Sequence, residues 1–318
     1  MGYSLIAKKR RMHPMSHKKR DWSKYNKSLV NRGSITLWLS PETLKSLKAK
    51  KVKGKAGRPF RYSDSAILVA STIRHVFKLS LRACEGFIKS IFHLLKSNLK
   101  VPCYTQICKR SKKISLPKHF LKGKKVQHIV LDATGLKVYG EGEWKVKKHG
   151  PGKRRQWRKL HLAVDEGSQE IIFADITTEH IHDTTFVSEV IKNRKGLKRL
   201  VMDGAADSSS IYKLCEEHGI ELLTPPQKNA RLRTEPHLEK RNCHLLEILG
   251  LGEDKIARSI WGKLTGYSKR STVESAIARW KKLFGQELKG RIAETQRLEV
   301  KIKSTILNEM KNQERLLA

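Results

Sequence analysis

Between Val126 and Gly140 the chain reads VQHIVLDATGLKVYG, a short apolar run that closes on Asp132 and is followed by a glycine turn. Two alternating segments come next, KLHLAVDE at 159–166 and EIIFADITTE at 170–179, and Gly167 between them marks a turn. This texture predicts a meander of paired strands. HDTTFVSEVIKN at 182–193 reads as a helix opened by Asp183. Leu197–Met202 is another apolar strand and ends at Asp203. SSSIYKLCEEHG at 208–219 returns as a helix closed by Gly219, and IELLTPP at 220–226 is a last short strand stopped by two prolines. Three paired strands, a helix, a strand with an acid at its end, a helix and a strand predict an α/β core.

Outward from that core the composition narrows the class. The 318 residues carry 67 Lys and Arg against 30 Asp and Glu, a formal net charge of +37, and 38% of residues are hydrophobic. That apolar fraction excludes a disordered polybasic chain, and the charge points to a polyanionic partner. No apolar run approaches the roughly 18 residues that span a bilayer. The start, MGYSLIAKKRR, has no signal-peptide core. Five scattered cysteines form neither a disulfide framework nor a CxxC zinc pattern, so reduced thiols and a cytoplasmic location are expected.

The charge comes in blocks. Residues 1–61 hold 18 Lys and Arg but only Asp21 and Glu42, and read as a basic arm and linker. No acid occurs between Glu85 and Asp132. KVKKHGPGKRRQWRK, from Lys145 to Lys159, carries eight cations next to Trp144 and around Trp157. Such blocks bind nucleic acid by releasing counterions. Lys137, Lys145, Lys147, Lys148, Arg154, Arg155 and Arg158 are expected to line a DNA path, with Trp144 and Trp157 either stacking on a base or packing in the core. From Ser63 to Leu99 apolar residues recur at helical spacing, with Ser63 as an N-cap and a second helix start at Leu79–Arg82. This region, 62–120, reads equally as a helix–turn–helix pair and as a bundle packed on the core.

The acids carry the chemistry. Asp132 and Asp203 stand at the carboxyl ends of buried strands, where sites collect in open α/β sheets, and each is followed by small residues. A third feature is the segment GYSKRSTVESAIARWKKLFG at 266–285, which reads as a helix. At 3.6 residues per turn, Tyr267, Arg270, Glu274 and Lys281 share one side of it. Asp207 suits a helix cap. Asp165, Asp175, His180, His182 and Asp183 suit turns and helix starts.

That helix carries Y-x2-R-x3-E-x6-K in full and so resembles the signature of bacterial insertion-sequence transposases with an Asp-Asp-Glu site. YNKSLVNRGSITLWL, GRPFRYSDSAI, LDATGLKVYGEGEWKVKKHG, WRKLHLAVDE and VMDGAAD resemble successive blocks of the IS five family across residues 22–290. The resemblance implies an RNase H-like, retroviral-integrase-like catalytic core at 125–291 with an N-terminal helical DNA-binding region and a C-terminal helix at 292–318. It implies Asp132, Asp203 and Glu274 as catalytic residues and ligands of Mg²⁺, with Mn²⁺ able to substitute. Tyr267, Arg270 and Lys281 match positions associated with the DNA backbone. The implied partners are double-stranded DNA, both the element's terminal inverted repeats and its target, and further copies of the chain in a synaptic assembly. Ala133 departs from the serine common there, and AADSSS at 205–210 lacks the usual aromatic and arginine. Those departures leave open a decayed DNA-binding regulator, or a nuclease of the same fold.

Overall fold

The computed structural model describes residues 21–49, 61–114, 116, 126–138, 157–178, 183–194 and 196–317. Among them, strands β1 (His128–Val138), β2 (Trp157–Asp165), β3 (Ile171–Thr178), β4 (Arg199–Val201), β5 (Glu221–Leu223) and β6 (Glu287–Leu288) form one sheet. Its order is β3-β2-β1-β4-β5, with β6 beside the far end of β1. The first three strands are antiparallel, while β4 lies parallel to β1, and β5 parallel to β4. This is an RNase H-like core. The meander, the lone strand before Asp203 and the last short strand stand where the hydrophobic alternation put them. Asp132 and Gly135 are corrections: β1 does not close on Asp132 but runs on through Gly135 to Val138, so Asp132 stands mid-strand, and the missing Gly135 side chain makes room for the ring of Trp157 on the paired strand.

Both faces of the sheet are covered, so its strands are apolar on both sides. On one face Ile129, Leu131, Phe173 and Leu200 pack against helices α7 (Asp183–Lys192) and α8 (Ser209–Glu217). On the other, Val130, Leu136, Leu162 and Val201 meet α11 (Ser271–Phe284) and α12 (Ala293–Leu317). Between β5 and α11 the chain makes a helical pair, α9 (Glu239–Gly250) and α10 (Lys255–Thr265).

The helical region before the sheet has its own core. Helices α4 (Asp64–Val76), α5 (Leu81–Leu94) and α6 (Tyr104–Ser111) enclose Ile67, Ile73, Cys84, Ile88, Phe92 and Ile107. Ser63 caps α4 by accepting from the amide of Ala66 at 3.1 Å, and Ser80 caps α5 through Ala83 at 3.3 Å. The reading of residues 1–61 as arm and linker needs correction within its described part. Residues 22–45 carry helices α1 (Trp22–Asn31), α2 (Ile35–Trp38) and α3 (Pro41–Lys45), and Trp38, Leu39 and Leu47 are buried. Those apolar side chains gain more from burial than the intervening lysines lose, because the lysines stay at the surface.

Helix α12 lies where a C-terminal helix was expected, and it is built into the core: Val300 and Leu307 belong to the sheet's core, while Leu298, Ile302, Ile306 and Met310 pack with Trp38. Asn308 on the same helix bonds both backbone groups of Ile171, at 2.8 and 2.7 Å, and so satisfies the edge strand β3. Glu299 and Lys303 are both buried and paired at 2.6 Å. The Glu299 carboxylate also accepts from the amides of Lys289 and Gly290.

Candidate active site

Strand register brings the two aspartates together. On the parallel pair β1 and β4, Val130 lies opposite Val201. Two residues further along each chain stand Asp132, midway along β1, and Asp203, just past the end of β4, so the two acids come from neighbouring strands whose backbones run about 5 Å apart. Past β4 the chain turns at once. The Asp203 side chain caps a 3-10 turn, Gly204–Ala206, by accepting from the amide of Ala205 at 3.2 Å. Its carbonyl is held by the hydroxyl of Thr224, the residue that follows β5.

Glu274 arrives from the opposite side. Helix α11 buries Val273, Ala276 and Trp280 against the sheet, which fixes its rotation and leaves Glu274 in the first turn at the open edge. An acid there is favoured by the helix dipole. The motif does not form one continuous helix, as its spacing suggested. Gly266 enters in the left-handed conformation (φ 83°), Tyr267–Arg270 make a 3-10 turn, and the α-helix begins at Ser271. The polar stripe survives this change. Arg270 donates to Asp132 Oδ2 at 3.2 Å and to Glu274 Oε1, and Lys281 donates to Thr134 Oγ1 at 2.6 Å. Thr134 is two residues past Asp132 on the same face of β1, so Arg270 and Lys281 fasten the helix along that strand.

The electrostatics fit a shared site. Burial pushes the Asp132 carboxyl above its usual range, with Asp203 and Glu274 adding to the rise while the Ala133 amide and Arg270 oppose it. Burial also raises the Tyr267 phenol, and the three acids push the same way. Burial works against the Arg270 charge, but Tyr267 and the acids outweigh it and hold the guanidinium firmly protonated. All five groups therefore feel one another. Three hard-oxygen carboxylates are the donor set that Mg²⁺ or Mn²⁺ prefers, and the pair Asp132 and Glu274 already draws a cation between them. Among the described residues no three His, Cys, Asp or Glu side chains are grouped as a formed metal site. The guanidinium of Arg270 bridges two of the three acids instead.

Other expected residues fall elsewhere. Lys137 and Arg158 lie on the paired strands at the far end of β1. Lys137 sits over the ring of Trp157 at 5.9 Å, and Arg158 donates to Gln296 of α12 at 3.0 Å. Trp157 is partly exposed, which corrects its reading as a core residue. Trp144, Lys145, Lys147, Lys148, Arg154, Arg155, His180 and His182 lie outside the described residues. Asp207 does not cap a helix. It is buried with Arg241, which donates to it at 2.7 Å, and it accepts from the Gln227 amide at 2.9 Å. This pair ties the loop after Asp203 to α9. Asp165 accepts from the amide of Ser168 in the β2–β3 turn, at 2.7 Å. Thr134, Thr224 and the Asp207–Arg241 pair escaped the sequence reading, because each acts through a partner distant in the chain.

Two family models match the chain, both described as a transposase DDE domain. One covers residues 30–141 and the other residues 123–308, more than half of the chain. Among solved structures, the catalytic core domain of BIV integrase aligns at 13% identity over 43% of this chain and 79% of its own, with a TM-score of 0.21. A Mos1 transposase paired-end complex with the left transposon end aligns at 11% identity over 83% of this chain and 82% of its own, with a TM-score of 0.22. Both overlays are loose, and the fold rests on strand order and register.

Proposed function

The chain belongs to the transposase DDE-domain family, and on that premise we propose that it is an insertion-sequence transposase of the IS five type. It binds the terminal inverted repeats of its element, cuts the DNA there and joins the freed 3′-OH to target DNA. The observation that carries this reading is the approach of Glu274, from the first turn of α11, to Asp132 on β1 beside Asp203 at the end of β4, with Arg270 between Asp132 and Glu274. Asp132, Asp203 and Glu274 would hold the divalent metal, Mg²⁺ or Mn²⁺, which supplies charge neutralisation at phosphorus and a more acidic water.

The chain's own groups do the remaining work. Arg270 and Lys281 lie along β1 on the acids' side, and their charges suit the non-bridging oxygens of a phosphodiester. Tyr267 stays protonated at neutral pH and is placed to donate a hydrogen bond rather than to attack. In the first step a water oxygen bonds to phosphorus, the bond to the 3′ oxygen breaks, and that oxygen leaves as a hydroxyl. In the second step this hydroxyl bonds to a target phosphorus and displaces another 3′ oxygen, so one phosphodiester replaces another and no external energy is needed.

Strand transfer tests the reading, with a labelled duplex bearing the element's end, a target plasmid and added Mg²⁺. Joined product that disappears in Asp203→Asn and Glu274→Gln, while end binding persists, is the expected result. Joining that survives either substitution overturns the site. Cleavage with no joining would assign a nuclease instead.

A further inference from the structure

Away from the three acids, a cavity of about 1150 Å³ opens between helices α4 and α6 on one side and the β6–α12 segment on the other. Its lining is strongly basic. Arg74, Lys78, Lys112, Lys289 and Arg291 all face it, and none of the five has an ion-pair partner among the described residues. The Nε of Arg74 is buried without a hydrogen-bond acceptor. Like charges gathered without counter-ions repel, and a buried donor left unpaired is costly. Such an arrangement is relieved by an anionic ligand.

The acids nearby do not cancel this charge. Glu299 is taken up by Lys303 and by two backbone amides, and Glu287 stands alone at the rim. His75, also on the lining, is pushed down to about 3, chiefly by burial, and is neutral at physiological pH. Apolar side chains, Phe284, Leu298 and Ile302, line the same cavity.

A lining that is basic and in part apolar suits a chain of phosphates that carries unpaired bases. A duplex keeps its bases paired with each other and leaves such apolar side chains unused. The position fits as well. Lys137 lines the cavity at the end of β1, five residues past Asp132, or about 17 Å along the strand. That spans about five phosphates at the per-strand spacing of a duplex, and fewer of an extended single strand.

We infer that this cleft is a second nucleic-acid site, which grips a single-stranded stretch of DNA running away from the catalytic carboxylates. The inference rests on the reading of the chain as a DNA-joining enzyme, and adds to it a site for unpaired strand that the three acids do not supply.

Two free, exposed cysteines provide the test. Cys108 lines the cleft, whereas Cys243 lies on α9 outside it. The full chain is alkylated with a small maleimide, with and without a mixed-sequence oligonucleotide of about 10 nucleotides, and each cysteine is followed by mass spectrometry. Single strand should slow Cys108 at least several-fold and leave Cys243 unchanged, and the matching duplex should protect Cys108 less. The exposed pair Lys112→Glu with Arg291→Glu should abolish the protection. It should also weaken oligonucleotide binding tenfold or more, and lower the salt slope by about 1.4. An equal charge change on α8 and α9, Lys213→Glu with Lys240→Glu, should leave the Cys108 protection in place. Equal labelling with and without oligonucleotide, or protection by duplex alone, overturns the site. The footprint is read in Asp203→Asn as well as in the native chain, so failure of strand transfer and failure of the cleft are separate results.

Discussion

The guanidinium of Arg270 occupies the space between two carboxylates that are expected to bind metal, and replacing it should tighten metal binding in the DNA-free protein. Arg270 donates to Asp132 at 3.2 Å and to Glu274; the side chains of Arg270 and Asp132 are 24% and 17% exposed, and that of Glu274 is 51% exposed. At an effective dielectric near 20, a pair such as Arg270 and Asp132 attracts by about 4 kcal/mol. The exposed Glu274 adds about 1 kcal/mol or less. A divalent ion must overcome this attraction, but recovers part of it when the released guanidinium is rehydrated or finds a phosphate. If a third remains uncompensated, Arg270→Gln should bind Mn²⁺ about tenfold more tightly, since about 1.4 kcal/mol is a factor of ten.

Isothermal titration with Mn²⁺ on the DNA-free protein measures this directly. A second signature follows from Asp132, whose carboxyl is raised by burial and lowered in part by Arg270. Without the arginine it rises further and takes up a proton earlier on acidification. Metal affinity should then decline at a higher pH in the variant than in the native protein. Adding end DNA should tighten Mn²⁺ binding to the native chain, where phosphate draws Arg270 aside, and have less effect on the variant. Unchanged or weaker Mn²⁺ binding by a folded Arg270→Gln protein would refute the reasoning and leave Arg270 as a helix brace.

Two further substitutions separate stability from function. Because burial raises the Asp132 carboxyl, its folded state holds a proton that the unfolded chain has already lost, so ionised Asp132 costs stability as pH rises through and above the ordinary aspartate range. Asp132→Asn should therefore melt no lower than the native protein in metal-free buffer, with an advantage that sets in as pH rises above about 4 and levels off once the folded carboxyl is ionised; a lower melting temperature at pH 7 would contradict this. Lys303→Met strands the carboxylate of Glu299, both side chains being 3–4% exposed, and should cost about 3–5 kcal/mol in urea unfolding. Burial alone would raise Glu299, but Lys303 and the Lys289 amide hold it below its usual range, so its contribution is present above about pH 4.5 and fades as pH falls through the folded value. A loss below about 1 kcal/mol at neutral pH would show the pair to be dispensable.

The core was legible wherever a local pattern decides the structure. Strands β2 and β3 flank a glycine-containing turn, although they are buried in continuous runs rather than alternately, and Ser63 and Ser80 announce the helices that they cap. Helix α12 came only from the family resemblance, and nothing local announces the burial of its Glu299, Lys301 and Lys303. They can be buried, since Lys303 neutralises Glu299 and Lys301 donates to the carbonyl of Leu116 at 3.2 Å. Helices α1 to α3 were hidden by the lysines of the segment that contains them. Tertiary partners decide both cases, and hydrophobic periodicity carries no record of them.

The site divides in the same way. Asp203 could be marked as a strand-end acid, and the 266–285 segment as a polar stripe, from spacing alone, whereas Asp132, read the same way, stands in the middle of β1. What joins them is the parallel register of β1 with β4 and the seating of Val273, Ala276 and Trp280, neither of which the spacing shows. Arg270 shows the difference most sharply. Four residues before Glu274, it reads as ordinary helix support, worth a few tenths of a kcal/mol on an exposed helix. Its second bond, to an acid 138 positions away, makes it the cation that spans the first and third carboxylates. If the acids hold metal as proposed, a side chain that neutralises two of them when metal is absent, and that suits a phosphate once displaced, would couple metal loading to DNA binding. Without metal, Arg270 itself supplies the positive charge beside Asp132 and Glu274.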